Sequence, residues 1–193
     1  MAAFAVATLS ANAQSYVGGT LGFSTSKDKT AGEKTTTSFV VAPEIGTSLN
    51  DKWGIGIALG VGYNKQKVEH AGVSAETNST VINVSPYARY QAIKWGRANI
   101  FVDGGILFEM EKAKDMKAAL DLGLFVTPGV AFNLNEKWSI VAKANNLFTL
   151  GFHKDAVADV SGAPDAPTSF KAGINTLESF TLGSLTFGVY YNF

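Results

Sequence analysis

The sequence predicts an all-β chain folded as an eight-stranded antiparallel up-and-down β-barrel, and three observations carry that expectation. The first is the stretch 53–64, W-G-I-G-I-A-L-G-V-G-Y-N, where Trp53, Ile55, Ile57, Leu59, Val61 and Tyr63 alternate with Gly54, Gly56, Ala58, Gly60, Gly62 and Asn64. Successive side chains of a strand point to opposite faces of a sheet, so sustained period-two alternation is a strand signature. The second is that eight such segments follow one another, joined by connections that are alternately short and long. The third is the distribution of bulk. A strand with one solvated face carries Lys, Glu or Thr there, whereas here the second face is nearly all glycine and alanine. Large apolar side chains outward and small ones inward suit a narrow closed barrel whose outside meets hydrocarbon, a transmembrane barrel.

The elements follow in order. Segment 15–26 sets Val17, Leu21 and Phe23 against Gly18, Thr20, Gly22 and Ser24. Segment 36–49 sets Phe39, Val41, Pro43 and Ile45 outward and Ser38, Ala42, Glu44 and Gly46 inward. Segment 53–64 is the third. The fourth, 80–92, opposes Ile82, Val84, Pro86, Ala88 and Tyr90 to Asn83, Ser85, Tyr87, Arg89 and Gln91. The fifth, 98–110, opposes Ile100, Val102, Ile106 and Phe108 to Phe101, Asp103, Gly105 and Glu109. The sixth, 118–133, runs Leu120, Leu122, Leu124, Val126, Val130 and Phe132 against Asp121, Gly123, Thr127, Gly129 and Ala131. In the seventh, 138–152, Ile140, Ala142, Phe148 and Leu150 face away from Ser139, Lys143 and Asn145. The eighth closes the chain, with Leu185, Phe187, Val189, Tyr191 and Phe193 opposite Thr186, Gly188, Tyr190 and Asn192. A tilted strand crosses hydrocarbon in about 9–11 residues, so every segment is long enough.

Tight connections are expected around Asn50-Asp51, around Lys94 to Arg97 and around Asn135-Glu136, with longer polar ones at 27–35, 65–79, 111–117 and 153–176. Outer-membrane barrels keep short turns on the periplasmic side and long loops outside. Each tight connection is read as leading into a Lys-Trp pair: Lys52-Trp53, Lys94-Trp95 and Lys137-Trp138, which together hold every tryptophan of the chain. Indole favours the headgroup region and lysine snorkels to phosphate, so these six residues are candidate anchors at the periplasmic interface. The competing explanation is turn chemistry alone, Asn-Asp and Asn-Glu turns followed by an aromatic strand start.

Composition narrows the function classes. Hydrophobic residues make up 46% of 193, yet they are dispersed, and no run approaches the roughly 20 apolar residues of a membrane-spanning helix. Formal net charge is zero, which leaves no basic footprint for nucleic acid. Absence of cysteine removes disulfides, thiolate metal sites and a cysteine nucleophile. His70 and His153 fall in expected long loops; His153 has Asp155 nearby, but no serine stands at His-x-Ser spacing, so no nucleophile–base–orienter set is visible and an enzyme is not expected. Stretch 162–168 is turn-rich and acidic enough to attract a weak cation, without any regular ligand spacing. Neither cofactor nor metal is expected. Residues 1–9 are a short apolar run followed by Ala11-Asn12-Ala13, the pattern of a secretory leader with an A-x-A cleavage site, although the basic start of a leader is missing. The expected layout is therefore a leader remnant at 1–13 and a barrel at 14–193. A soluble lipocalin-like carrier is disfavoured, because its water-facing side would be the glycine face.

Four inward charges, Glu44, Arg89, Asp103 and Lys143, lie at similar depth near the short-turn end, while Glu109 and Asp121 lie toward the other. Counting back from the 94–97 turn sets Tyr87 opposite Asp103 and Arg89 diagonal to it, within reach of a long side chain. Eight strands enclose an interior that side chains can fill. Two acids and two bases there form a candidate ion-pair cluster, since buried charges stay ionised only when paired. A plug is the plainer reading and a gate for a narrow ion path the functional one.

The last residues, L-T-F-G-V-Y-Y-N-F with Tyr191 and Phe193, resemble the C-terminal assembly signal of bacterial outer-membrane barrels. Together with the A-N-A leader and eight segments, residues 15–193 are similar to the small eight-stranded barrels of the OmpX and OmpA N-terminal type, within the broad outer membrane protein beta-barrel domain or porin-like family. The resemblance implies the outer membrane of a Gram-negative bacterium, outer-membrane lipids and the barrel-assembly machinery as partners, and no catalytic motif. The expected function is a non-enzymatic structural or surface-interaction barrel, serving adhesion or envelope integrity, with a filled lumen and an unknown ligand at its extracellular loops. The alternative is a narrow porin-like diffusion channel, and a lipid-modifying outer-membrane enzyme is more distant.

Overall fold

Alternation of large and small residues builds one continuous antiparallel wall. The computed structural model describes residues 14–28, 33–70, 73–144, 147–157, 166–174 and 185–193. The leader expected at 1–13, Asn145 and the part 162–165 of the turn-rich stretch lie outside the described residues. The strand segments are β1 (Ser15–Asp28), β2 (Glu33–Ser48), β3 (Trp53–His70), β4 (Val73–Trp95), β5 (Ala98–Ala113), β6 (Ala119–Asn133), β7 (Trp138–Ala144), β8 (Phe148–Lys154), β9 (Thr168–Ile174) and β10 (Leu185–Asn192). β7 and β8 are successive halves of a seventh strand, both paired with β6. β9 pairs with β8, and β10 pairs with β7 and with β1. These ten segments fill eight wall positions and close an antiparallel barrel.

Three sequence expectations are corrected here. Strands β3 and β4 are 18 and 23 residues long, so most of the expected 65–79 connection is paired strand, up to His70 opposite Val73. The 27–35 connection likewise contains the pair Asp28–Lys34. Apolar alternation in β3 ends at Tyr63, but backbone pairing continues through Lys65, Gln66 and Lys67 and their partners Thr37, Thr36 and Thr35. The 153–176 connection also contains structure: His153 and Lys154 belong to β8, and Thr168–Ile174 is β9. Its sequence, T-S-F-K-A-G-I, sets Phe170 between Thr168 and Ala172 on one face, too little bulk to read as alternation.

The small inward face has a packing cause. Tyr16, Tyr87, Phe101 and Tyr190 stand directly across from Gly46, Gly56, Gly129 and Gly18 on neighbouring strands. A Cβ added at any of these glycines would overlap the facing aromatic ring or hydroxyl. Each ring therefore lies against bare backbone, and Tyr16, Phe101, Val141 and Tyr190 form the buried apolar cluster. Outside, the row of isoleucine, leucine, valine and phenylalanine side chains is exposed along every wall position, an apolar surface far larger than a soluble monomer tolerates.

The register of β4 on β5 shifts between Gln91 and Ile93. This bulge places one extra residue, Ala92, in β4, and in doing so exchanges the two faces of the strand. Ile93 and Trp95 point outward, 53% and 83% exposed, while Arg89 points inward at 4%. Arg89 accordingly faces Asp103 directly and Tyr87 faces Gly105, not the Tyr87–Asp103 pairing counted from the turn.

Candidate functional site

The lumen cluster is assembled from six wall positions. Arg89 Nε and Nη2 donate to Asp103 Oδ1 and Oδ2 at 2.6 and 2.8 Å, a two-point fork that fixes the guanidinium plane. Nη2 also reaches Glu44 Oε1 at 2.9 Å. Lys143 Nζ lies 2.6 Å from Glu44 Oε2 and 3.1 Å from Asp103 Oδ2, so each base touches both acids. The four residues come from β2, β4, β5 and β7, and are 4%, 4%, 1% and 8% exposed for Glu44, Arg89, Asp103 and Lys143. Two cations and two anions cancel, and the hydrogen bonds satisfy the charges that burial would otherwise penalise by several kcal/mol per ion.

Around this charge core stands a shell that sequence reading left out. Tyr190 and Tyr16 hydroxyls donate to Glu44 Oε1 at 2.9 and 3.3 Å, and Tyr87 donates to the same oxygen. Arg89 Nη2 donates to the Tyr190 hydroxyl at 3.1 Å. The guanidinium carbon sits 3.9 Å from the centroid of the Phe101 ring, a cation–π contact in a dehydrated setting. The signal was present in the sequence as inward aromatics, each paired across the wall with a glycine. Register was needed to see it.

A cavity of about 290 Å³ lies on the short-turn side of the cluster, lined by Gln91, Asn99, Asn133, Ser139 and Asn192. A second of about 240 Å³ lies on the other side, against Asn83, Ser85, Thr127 and Thr186. Arg89 lines the first and Lys143 the second.

Toward the long-hairpin end, Glu109 and Asp121 face each other across β5 and β6. Asp121 Oδ1 is 2.7 Å from His153 Nδ1, and Asp155 Oδ1 is 2.9 Å from His153 Nε2. His153 is thus a strand residue clamped by two carboxylates, not a loop side chain. Ser169 stands opposite it on β9, but a base for that hydroxyl needs one ring nitrogen directed at it, and both nitrogens meet carboxylate oxygens. His70 is the last residue of β3 rather than part of a loop.

The Lys-Trp pairs divide into two kinds. Asn50 Oδ1 accepts from the backbone N–H of Lys52 and Trp53, both at 2.9 Å, and Asn135 Oδ1 accepts from Lys137 and Trp138 at the same distance. The repeated frame Leu-Asn-Asp/Glu-Lys-Trp is therefore a repeated turn built on asparagine. Lys94-Trp95 differs: it ends β4 and precedes the turn at Gly96, whose φ is 57°. Trp53 packs on Tyr90 and Trp138 on Tyr191, both at 5.0 Å between ring centroids. The backbone of Phe193 pairs with that of Ser15 in both directions, at 2.9 and 3.2 Å, so Tyr191 and Phe193 lie where the last strand meets the first.

Residues 1–193 match the family model described as outer membrane protein beta-barrel domain. No curated protein sequence matches the chain. Among solved structures, Neisserial surface protein A is similar at 13% identity over 94% of this chain and 96% of that one, with a TM-score of 0.44. Ail, the attachment invasion locus protein of Yersinia pestis, is similar at 12% identity, with 94% and 98% covered and a TM-score of 0.45. The beta domain of the Bordetella autotransporter BrkA is similar at 8% identity, with 94% and 97% covered and a TM-score of 0.37.

Proposed function

The chain belongs to the outer membrane protein beta-barrel domain family over its whole length, and from that premise we propose an integral protein of the Gram-negative outer membrane acting as a non-enzymatic structural or surface-interaction barrel. Family membership does not fix activity. The observation that carries the reading is the neutral cluster of Glu44, Arg89, Asp103 and Lys143, which with its tyrosines occupies the lumen between the two cavities. A filled barrel acts through what it presents outside. The long hairpins, β3–β4 above all, supply that surface, with the short turns periplasmic. Trp53, Trp95 and Trp138 with Lys52, Lys94 and Lys137 anchor the periplasmic interface, Tyr191 and Phe193 serve recognition by the barrel-assembly machinery, and residues 1–13 act as an export leader. Contact with host molecules, neighbouring cells or envelope partners is the role assigned to the hairpins.

A narrow channel is the second reading, favoured by the two cavities that flank the cluster, one lined by Arg89 and the other by Lys143. Planar-bilayer recording of the purified barrel separates the two. A silent wild type supports the plug, and steady open channels support the pore. A binding screen against envelope and host surface components, with hairpin-trimmed barrels as control, tests the surface role. Binding that survives trimming of every long hairpin sinks it.

A further inference from the structure

His153 lies where several stretches of chain meet at the long-hairpin end. It is an inward residue of β8, opposite Asp121 on β6 and Ser169 on β9. Asp155 follows two residues later, in a segment that has left the sheet yet stays half-buried through Val157. Backbone bonds hold that segment on both sides. Asp155 N–H donates to the Pro167 carbonyl at 3.0 Å, and Lys117 N–H, on the connection into β6, donates to the Val157 carbonyl at 2.7 Å. One imidazole therefore ties β6 to the chain leaving β8.

Each ring nitrogen meets a carboxylate oxygen, Nδ1 that of Asp121 at 2.7 Å and Nε2 that of Asp155 at 2.9 Å. An ionised carboxylate only accepts hydrogen bonds, and a neutral imidazole has a single N–H to give. With both acids ionised, the two bonds exist together only when the ring carries two protons. Exposure decides which bond yields first. The Asp121 side chain is 34% exposed on a strand, whereas that of Asp155 is 50% exposed and turns to water at little cost. The charges around the ring are Asp121 on β6, Glu109 and Glu111 on β5, Lys171 on β9 and Asp155 on its own segment, with Lys117 on the connection packed against it. Lys154, its neighbour on β8, has the opposite parity.

We propose that His153 is a proton-operated latch at this end of the barrel. The imidazolium clasps Asp155 and holds residues 155–157 against the connection into β6; loss of the Nε2 proton frees the segment. Acid thus fixes the mouth and alkali loosens it. The latch belongs to the barrel itself and holds whichever partner the hairpins contact and whichever way the barrel points.

Nuclear magnetic resonance of the full-length barrel in lipid nanodiscs tests it, with ¹⁵N-labelled histidine for the ring and amide hydrogen exchange for the segment. The chain has two histidines, so the spectrum of His153→Gln assigns the ring. From about pH 5 to about pH 8, the range in which imidazoles change charge, protection of the Lys117 and Asp155 amides should fall about fivefold, the upper end for an ion pair half open to water. The ring should carry two protons while the segment is protected and one when it is not. His153→Gln should show low protection throughout. Asp155→Asn, whose amide accepts or donates, should flatten the response, and Glu109→Gln should keep it. Heat-dependent gel mobility checks that the variants fold, and the wild-type measurements decide the proposal if one does not. Equal protection at both ends of the range overturns the latch. So does a fall of the same size in His153→Gln, or a ring that carries one proton while the segment is protected.

Discussion

Arg89 and Asp103 stand directly opposite each other on β4 and β5, and the guanidinium grips both carboxylate oxygens, at 2.6 and 2.8 Å. Most cross-strand ion pairs lie on solvated faces and contribute under about 1 kcal/mol. This one is sealed under Phe101, Tyr16 and Tyr190, and its loss leaves an uncompensated buried charge.

Arg89→Ala should lower barrel stability by about 3–5 kcal/mol, the usual cost of removing one partner of a buried pair. Equilibrium unfolding from lipid vesicles in urea reads the loss, and bilayer conductance reads whether ions now pass between the two cavities. Unchanged stability together with unchanged permeability would mean that water already solvates the cluster.

Gly129 and Phe101 should behave as one unit. Gly129→Ala adds a Cβ that overlaps the Phe101 ring, so it should destabilise by about 1–3 kcal/mol through overpacking. Phe101→Leu removes the overlap and should recover part of that loss when combined with Gly129→Ala. A double-mutant cycle gives the coupling directly. Additive losses would show that ring and glycine do not share the space.

Deleting Ala92 should leave a barrel that still folds, as should Ala92→Gly and Ala92→Val. The deletion removes the one unpaired residue, so Gln91, Ile93, Lys94 and Trp95 would meet Phe101, Ile100, Asn99 and Ala98 in unbroken alternation, with Arg89 still inward and Trp95 still outward. Folding into vesicles, followed by heat-dependent gel mobility, decides it; a deletion variant that fails to fold would show that the bulge does more than take up an extra residue.

Single cysteines at Asp28 and Ala113 should react with a membrane-impermeant thiol reagent on whole cells, and cysteines at Asn50 and Asn135 should not. The reverse pattern inverts the barrel.

Architecture was legible because the lipid-facing alternation is strict: Trp53 to Tyr63 outward, Gly54 to Gly62 inward, and the same along the other walls. The members of the charge core were legible for the same reason, since parity alone turns Glu44, Arg89, Asp103 and Lys143 inward. Parity does not give level, however. The partner of Arg89 was misplaced because the turn falls at Gly96-Arg97 and one residue is inserted at Ala92, and neither leaves a mark in hydrophobic pattern. Tyr190 and Phe101 escaped notice because their role depends on which glycine they face. Strand ends were misread for a different reason: β3 and β4 continue beyond hydrocarbon, where polarity no longer reports pairing.

The cluster gathers residues whose separations along the chain are very unequal. Arg89 and Asp103 are 14 residues apart and meet within one hairpin, but Glu44 meets Lys143 across 99 residues and Tyr190 across 146. The last two contacts come only after β10 has docked between β7 and β1. Until then, Glu44 has Arg89 and Tyr87 within reach and Lys143 has Asp103, but the two lack each other at membrane depth, where incompletely paired charge is poorly tolerated. Sealing the seam joins Glu44 to Lys143 and Tyr190, and a one-residue slip of either strand would turn its charge toward lipid instead. The same four side chains that fill the lumen thereby act as a proofreader of assembly, rewarding only the barrel that has closed in the right register.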